Sequence, residues 1–438
     1  MIIFINGYHK SDGCNIDEQY RKLTREITTM ILSSFIHVEM NILMVVGISI
    51  ILGFIAGFLF KKINIPEAVG MILMGVFLGE SVLGFLSYNF IESVKPLIDL
   101  ALAFIGLGIG TELKFDLIGK LKKSIFFILI FESLGAFTLV TLGVFILTHK
   151  LYIALVFGAL AVSTAPAATA KVLWDYGAKG DLTTTIFSII ALDDIVAIIV
   201  YAFAFSYAES VILDGKTVLI EILLSSLLHI AGSIVLGLVT GAMMVILFNK
   251  IEEITRVLWL IFICVIAISG VAETMGFSLI LTNVIAGIVF TNFSNSNEKI
   301  FYLIREATYP LVVLFFVLIG GKLRLDYLPH IGLIGLTYLI MRFAGKFSGV
   351  AVGSHVSKSS ARIKKYLGFC LLTQGGLAIG LATSFYYNLA TLSEVGYHLG
   401  TLVLNTIVAT TLIVEILGPI FVKYAITKTG EIYKKPPT

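Results

Sequence analysis

Asp193 and Asp194 stand side by side near the centre of an apolar run, 183–206. A carboxylate at the middle of a bilayer costs roughly 2.5–3.5 kcal/mol on insertion scales, so two in a row need a chemical reason. Burial and a second carboxylate favour the protonated form, whereas a nearby cation favours the ionised one. Such a pair can hold either a proton or a small hard cation, which prefers oxygen ligands. Adjacent helix positions are about 100° apart, so one carboxylate can face a neighbouring helix while the other faces across a cavity.

Next to this run, the segment Ser163-Thr164-Ala165-Pro166-Ala167-Ala168-Thr169 interrupts another apolar stretch with a proline and hydroxyls. Proline removes a backbone donor and clashes with the carbonyl four residues back, which frees polar backbone at membrane depth. Such backbone is tolerated there only inside protein or beside water. An offset of 210 residues lands on Thr373-Gln374-Gly375-Gly376, a glycine pair in a matching stretch. Two interrupted helices at corresponding positions point to an ion site where they meet. The bland alternative is an ordinary proline kink with small residues for helix packing.

Arg342 and Lys346 lie one turn apart on one helix face. Intramembrane cations usually pair, and the same offset makes Glu132 the counterpart of Arg342. A Glu132–Arg342 ion pair is therefore expected to hold the bundle together, leaving Lys346 to pair with Asp193 when no cation is bound. Glu415, before Gly418-Pro419, is either an inner-vestibule group or a helix-end charge; Asn283 reads as a packing hydrogen bond. His229 and Glu221 sit on a long linking helix.

The elements that position these residues are membrane helices. The 438-residue chain is 58% hydrophobic and 13% charged, with a mean hydropathy of +1.00; soluble domains carry roughly 25% charged residues. Long apolar runs exclude a β-barrel, which needs ~10-residue alternating strands. The spacing predicts thirteen spans: 42–60, 67–87, 96–113, 125–148, 151–172, 183–206, 217–248, 257–273, 276–292, 303–321, 331–352, 367–387 and 399–422. Twenty of the 31 Lys and Arg residues fall in alternate loops and the C-terminal tail, against five on the opposite side and four in the N-terminal segment. That bias predicts the N-terminus outside and the C-terminus in the cytoplasm. The basic residues are thus explained by lipid topology and do not suggest nucleic acid. Cys14, Cys264 and Cys370 match no metal-ligand spacing and read as free thiols.

The halves repeat: Leu113-Lys114-Phe115-Asp116 matches Leu323-Arg324-Leu325-Asp326, and Gly110/Gly320 and Gly135/Gly345 keep the offset of 210. The copies are an odd number of spans apart, so they run in opposite directions through the bilayer, as in secondary transporters. The expected fold class is an all-α polytopic membrane protein, about 13 transmembrane helices with two inverted-topology repeats and two crossed, broken helices. Residues 1–41 form an N-terminal extracytoplasmic segment, either disordered or partly upstream of a start at Met40. The membrane domain covers 42–422 (repeat 1 about 67–206, linker helix 217–248, repeat 2 about 276–422), and 423–438 is a short cytoplasmic tail.

With Asp193-Asp194 after the Ser163–Thr169 crossing helix, the Pro66–Gly79 and Gly276–Phe290 spans and the Arg342…Gly345-Lys346 helix in view, the chain resembles the monovalent cation:proton antiporter superfamily, on its second branch of NapA-like sodium/proton antiporters. The resemblance covers about 42–422. It implies a homodimer with a dimerisation domain and a six-helix core that moves as an elevator in the cell membrane. It implies Asp194 as the principal cation and proton carboxylate, Asp193 as its partner and Lys346 as the coupled lysine. Ser163, Thr164 and Gln374 are the implied crossing-helix contacts, with Na+ at Asp193, Asp194 and Thr164. Two aspartates imply electrogenic exchange of Na+ or Li+ for H+, and the short tail favours sodium over potassium. No resident cofactor and no enzymatic step are expected; the partners are Na+ or Li+, protons and membrane lipids. K+/H+ exchange, or a sensor using the fold without turnover, are the alternatives. An intramembrane aspartyl protease is disfavoured, because it needs its aspartates on two helices.

Overall fold

The computed structural model describes residues 41–432 except 64, 114, 116–122, 214–218, 249–253, 295–297 and 326–327. Of the first 48 residues it describes only 41–48, the opening of α1 (Ile42–Lys62). Residues from Ser49 onward form one compact unit that holds all the candidate site residues. It runs through α2 (Glu67–Leu78), α3 (Tyr88–Ser93), α4 (Lys95–Glu112), α5 (Lys123–Thr148), α6 (Leu151–Val162), α7 (Pro166–Asp175), α8 (Asp181–Leu213) and α9 (Leu219–Phe248). Then follow α10 (Ile254–Thr274), α11 (Leu279–Phe293), α12 (Glu298–Gly321), α13 (Leu328–Val356), α14 (Ala361–Cys370), α15 (Gly376–Ala390) and α16 (Glu394–Thr429). Among the described residues seven helices are long and apolar enough to cross a membrane, α1, α5 and α8 among them, and shorter apolar helices accompany them. The chain is an all-α polytopic membrane protein.

Each of the thirteen expected spans corresponds to one helix or to a pair of half-helices. The largest difference from expectation is at one end: the 67–87 span stops as a helix at Leu78. Gly79 packs on the backbone of Gly321, where no side chain would fit, and the chain then doubles back through a bridge between Gly79 and Leu86. Gly84 supplies the left-handed turn at φ +67°. The apolar residues Val82, Leu83 and Phe85 carry the hydrophobic run past the helix end, so hydropathy alone extends it.

With apolar residues on every face, small residues mark where helices touch. Gly345, Gly349 and Gly353 recur every four residues on one face of α13, against the backbone of α5 at Gly135, Phe131 and Ile128. A Cβ at Gly345 would overlap the Gly135 carbonyl, and the reverse also holds. Gly345→Leu is expected to force α5 and α13 apart and to cost about 1–3 kcal/mol or more. Thermal melting of the purified variant checks this; an unchanged melt would mean that the crossing is not a close contact. Gly110 of α4 and Gly320 of α12, 210 residues apart, make equivalent approaches: a Cβ on either would lie 3.0 Å from a glycine Cα, that of Gly287 and Gly75 respectively.

The Leu113/Leu323 motifs are both held by asparagines. Asn292 accepts from the Phe115 N–H at 2.6 Å and donates to the Leu113 carbonyl at 2.7 Å. Asn405 accepts from the Arg324 N–H at 2.8 Å. Lys114, Asp116 and Asp326 of these motifs lie outside the described residues, as do residues 1–40 and 433–438 of the predicted terminal segments. Asn283 makes the expected packing bonds, to the Ser269 hydroxyl at 3.1 Å and the Leu279 carbonyl at 2.9 Å.

Candidate ion site

Two helices break at the centre of the fold and their breaks bond to each other. α6 ends at Val162, Ser163 turns extended (φ −61°, ψ 144°), and Pro166 restarts the chain as α7. Proline suits a first helical position because it lacks the N–H that would be orphaned there. α14 ends at Cys370, and Gly375 (φ −149°, ψ −141°) caps the start of α15. Between the breaks, the Ala165 N–H donates to the Thr373 carbonyl and the Thr373 hydroxyl donates back to the Ala165 carbonyl, both at 3.1 Å. The Thr169 and Thr373 hydroxyls meet at 3.0 Å.

Arg342 braces both breaks. Its Nε donates to the Ala161 carbonyl at 3.0 Å, Nη1 to Leu372 at 2.6 Å, and Nη2 to Ser163 at 2.8 Å and Thr373 at 3.2 Å. These carbonyls belong to the C-terminal ends of two half-helices, where partial negative charge gathers. A planar guanidinium with five donors in a fixed fork fits several carbonyls at once. The expected Glu132–Arg342 pair is therefore replaced by another: Glu132 pairs with Lys346 at 2.7 Å. The cause is register. In the antiparallel α5/α13 packing Ile128 lies level with Gly353 and Gly143 with Met341. Glu132 thus comes level with Gly349, about two turns beyond Arg342 and within a turn of Lys346. The offset of 210 makes Glu132 and Arg342 equivalent, not adjacent.

Lys346 sits between carboxylates and is fully buried, as are Glu132 and Asp193, each at 0% exposure. Its Nζ lies 3.1 Å from Asp193 Oδ2 and 3.0 Å from the Thr164 hydroxyl, and also donates to the Val162 carbonyl. The Thr164 hydroxyl donates in turn to Asp193 Oδ2. The Ser133 hydroxyl donates to Glu132 Oε1 at 3.2 Å and reaches Asp193 Oδ1 at 3.5 Å.

Asp194 faces elsewhere. It lines a cavity of about 160 Å³ with Ser163, Thr164, Ala165, Gly375 and Gly376, and with Ile105 and Ile109 of α4 opposite. The two aspartates are thus divided, one toward the lysine and one along the cavity. Asp194, Ser163 and Thr164 supply the oxygens that a small hard cation would take there. Gln374 does not join this cavity: its amide donates to the Leu160 carbonyl at 2.8 Å and the Tyr338 hydroxyl at 2.7 Å.

The helix that carries the aspartates is pinned at its start from the far end of the chain. The Glu431 carboxylate accepts from the Leu182 N–H at 2.9 Å, the Thr183 N–H at 2.8 Å and the Thr183 hydroxyl at 2.7 Å. A carboxylate at a helix N-terminus satisfies orphan donors and the dipole together. Glu431→Ala is expected to cost about 2 kcal/mol, in the range for hydrogen bonds to a charged group; Glu431→Asp should recover part of it. Melting curves of the two variants decide. The sequence gives no hint of this residue, since it lies in a polar tail.

The second half-helix, α15, is tied to α12 by Lys322, which pairs with Glu92 at 2.7 Å and stands 4.1 and 4.0 Å from the rings of Tyr386 and Tyr387. Burial pushes the Lys322 ammonium down to about 8, against the pull of Glu92. A further cavity of about 230 Å³ is lined by Asp99, Glu209, His229 and Glu273 among others. None of these three carboxylates stood out as a site in the sequence, because each lies near a helix end. The side chain of Glu221 lies outside the described residues.

Crossed half-helices with a buried lysine–carboxylate cluster define a membrane ion transporter rather than an enzyme. The comparisons with known proteins agree. The family described as "sodium/hydrogen exchanger, transmembrane" matches residues 29–426, and the chain belongs to that family. It is 23% identical over 339 residues to the probable Na+/H+ antiporter GerT of Bacillus cereus, covering 75% of this chain and 87% of the relative. To the Na+/H+ antiporter NhaS4 of Synechocystis it is 24% identical over 409 residues, covering 86% and 96%. In fold it is similar to the sodium proton antiporter MjNhaP1 of Methanocaldococcus jannaschii at pH 8, with a TM-score of 0.73 and 18% identity over 87% of this chain and 97% of that one.

Proposed function

We propose that this chain exchanges Na+ or Li+ for H+ electrogenically by elevator-type alternating access, as a homodimer in the cell membrane. One observation carries the reading: Asp194 faces a cavity, while Asp193 is bound to Lys346. Asp194 then takes either a proton or the cation, with Ser163 and Thr164 oxygens beside it. When the cation enters, Asp193 leaves Lys346 to join it, and the cluster of Lys346, Glu132 and Asp193 gives up a second proton. Two protons against one Na+ move net charge. Arg342 keeps the crossing rigid while this happens. The names of the relatives, each a Na+/H+ antiporter or a probable one, support sodium as the cation. The two repeats, about 67–206 and 276–422, form the two halves, joined by the linker helix; the basic loops set the N-terminus outside and the C-terminus in the cytoplasm.

Reconstitution in liposomes with a cation panel and an imposed membrane potential tests this. Na+ and Li+ are expected to dissipate a pH gradient at a rate that responds to the potential, with K+ far less effective. Absence of Na+-driven proton flux would defeat the exchange reading. A flux that ignores the potential would defeat its electrogenic part alone.

A further inference from the structure

Glu415 of α16 has no place in the mechanism above, yet its surroundings require one. It is 6% exposed, and no hydrogen bond or ion pair from the described residues reaches its carboxylate. A carboxylate buried without a partner must carry a proton or a cation to escape a heavy desolvation cost. Its Oε1 stands 2.8 Å from where a Cβ would lie on Gly375, and Ala165 Cβ stands 2.9 Å from the same point. Gly375 in turn walls the Asp194 cavity. A residue without a side chain therefore separates the two carboxylates. Gly375 is also the N-cap of α15, a 15-residue helix whose first N–H groups and positive dipole end favour an anion. Among the described residues two buried hydroxyls near these carboxylates lack hydrogen-bond partners: Ser163 Oγ in the Asp194 cavity, and Thr411 Oγ1, one turn before Glu415 on the same face of α16.

We propose that Glu415 is a relay carboxylate, which takes up the proton or Na+ as it passes between Asp194 and the side of the membrane where α16 ends. The inference rests on the exchange reading above. In the proton leg, Glu415, protonated at rest, releases its proton to the aqueous side and takes that of Asp194 in its place. Glu415 is then protonated again, Asp194 is ionised, and no proton is made or lost. In the cation leg the carboxylate and the unpartnered hydroxyls supply oxygens on the same route.

The test is Na+-driven proton flux in liposomes holding wild-type protein, Glu415→Gln and Glu415→Asp. Without the relay, proton transfer becomes limiting where protons are scarce. Glu415→Gln is expected to slow exchange about tenfold near pH 8.5 and less than about threefold near pH 6.5, with KM for Na+ within about twofold of wild type. Glu415→Asp should keep the wild-type profile. A pH-independent defect, or none, in Glu415→Gln beside an active wild type overturns the relay alone. No flux in wild-type vesicles overturns the exchange reading and the relay with it. Should Glu415→Gln fail to fold, wild-type protein gives the answer through dicyclohexylcarbodiimide, which modifies protonated carboxyls in apolar surroundings. Labelling of Glu415 that Na+ reduces severalfold supports the relay, and labelling indifferent to Na+ overturns it.

Discussion

Asp194→Asn is expected to reduce exchange to the background of empty liposomes, a loss of about 100-fold or more. The amide keeps the size of the side chain and its place in the cavity beside Ser163, Thr164 and Gly375, so packing is preserved. It removes the charge that offsets a desolvated cation and the group that releases the proton. Breaking a buried charge pair costs about 3–5 kcal/mol, and about 3 kcal/mol is already a factor of roughly 100 in rate. Asp193→Asn should behave differently. Its carboxylate is engaged with Lys346 and Thr164, so an amide there weakens the lysine contact while Asp194 remains in place. Flux should persist in Asp193→Asn, with reduced response to the membrane potential. Proton flux in vesicles, read beside the gel-filtration profile of each variant, separates the two cases. Normal turnover in Asp194→Asn would remove it as the carrier.

That division between the aspartates was legible in outline from their adjacency, because neighbouring helix positions diverge by about 100°. Which one faces the lysine was not a matter of spacing: the pairing of Lys346 with Asp193 came from expecting intramembrane cations to pair, and the resemblance implied the same. The breaks at Ser163–Ala165 and Leu371–Gly375 were legible because proline and paired glycines interrupt apolar runs. Helix existence followed from run length, whereas the end of α2 did not, since Leu83 and Phe85 keep hydropathy high across a turn that Gly79 and Gly84 impose. The ion pair was misassigned for a related reason. Internal repetition reports which residues are equivalent, while contact depends on the register of the crossing helices. The Gly345, Gly349 and Gly353 stripe held that register information, because small residues at four-residue spacing mark the contact face. Read against Gly135, the stripe would have set Glu132 opposite Gly349 rather than Arg342. Glu431 left no such trace: its partners are backbone N–H groups 248 and 249 residues away.

Lys346→Met is expected to separate two roles that the pairing with Glu132 brings together. Removing the ammonium leaves Glu132 and Asp193 buried at 0% exposure with no cation between them, and a buried carboxylate stripped of its partner costs about 3–5 kcal/mol. Arg342 cannot substitute, because its guanidinium is committed to four backbone carbonyls of the breaks. The single variant should therefore be markedly less stable than wild type. Adding Glu132→Gln should recover most of that loss, because one of the two uncompensated charges is gone and the amide can still accept from the Ser133 hydroxyl. A double-mutant cycle of melting free energies should show a coupling of more than about 1 kcal/mol between positions 132 and 346. The same double variant isolates the charge question. With Asp193→Asn added, no buried carboxylate is left to carry the proton that Lys346 gave up. With Asp194 intact, it should still exchange Na+ for one proton, and its rate should no longer follow an imposed potential. An unchanged potential dependence in that protein would rule out Lys346 as the source of the second proton. Zero coupling in the cycle would mean that Glu132 does not hold the lysine in the membrane-embedded protein.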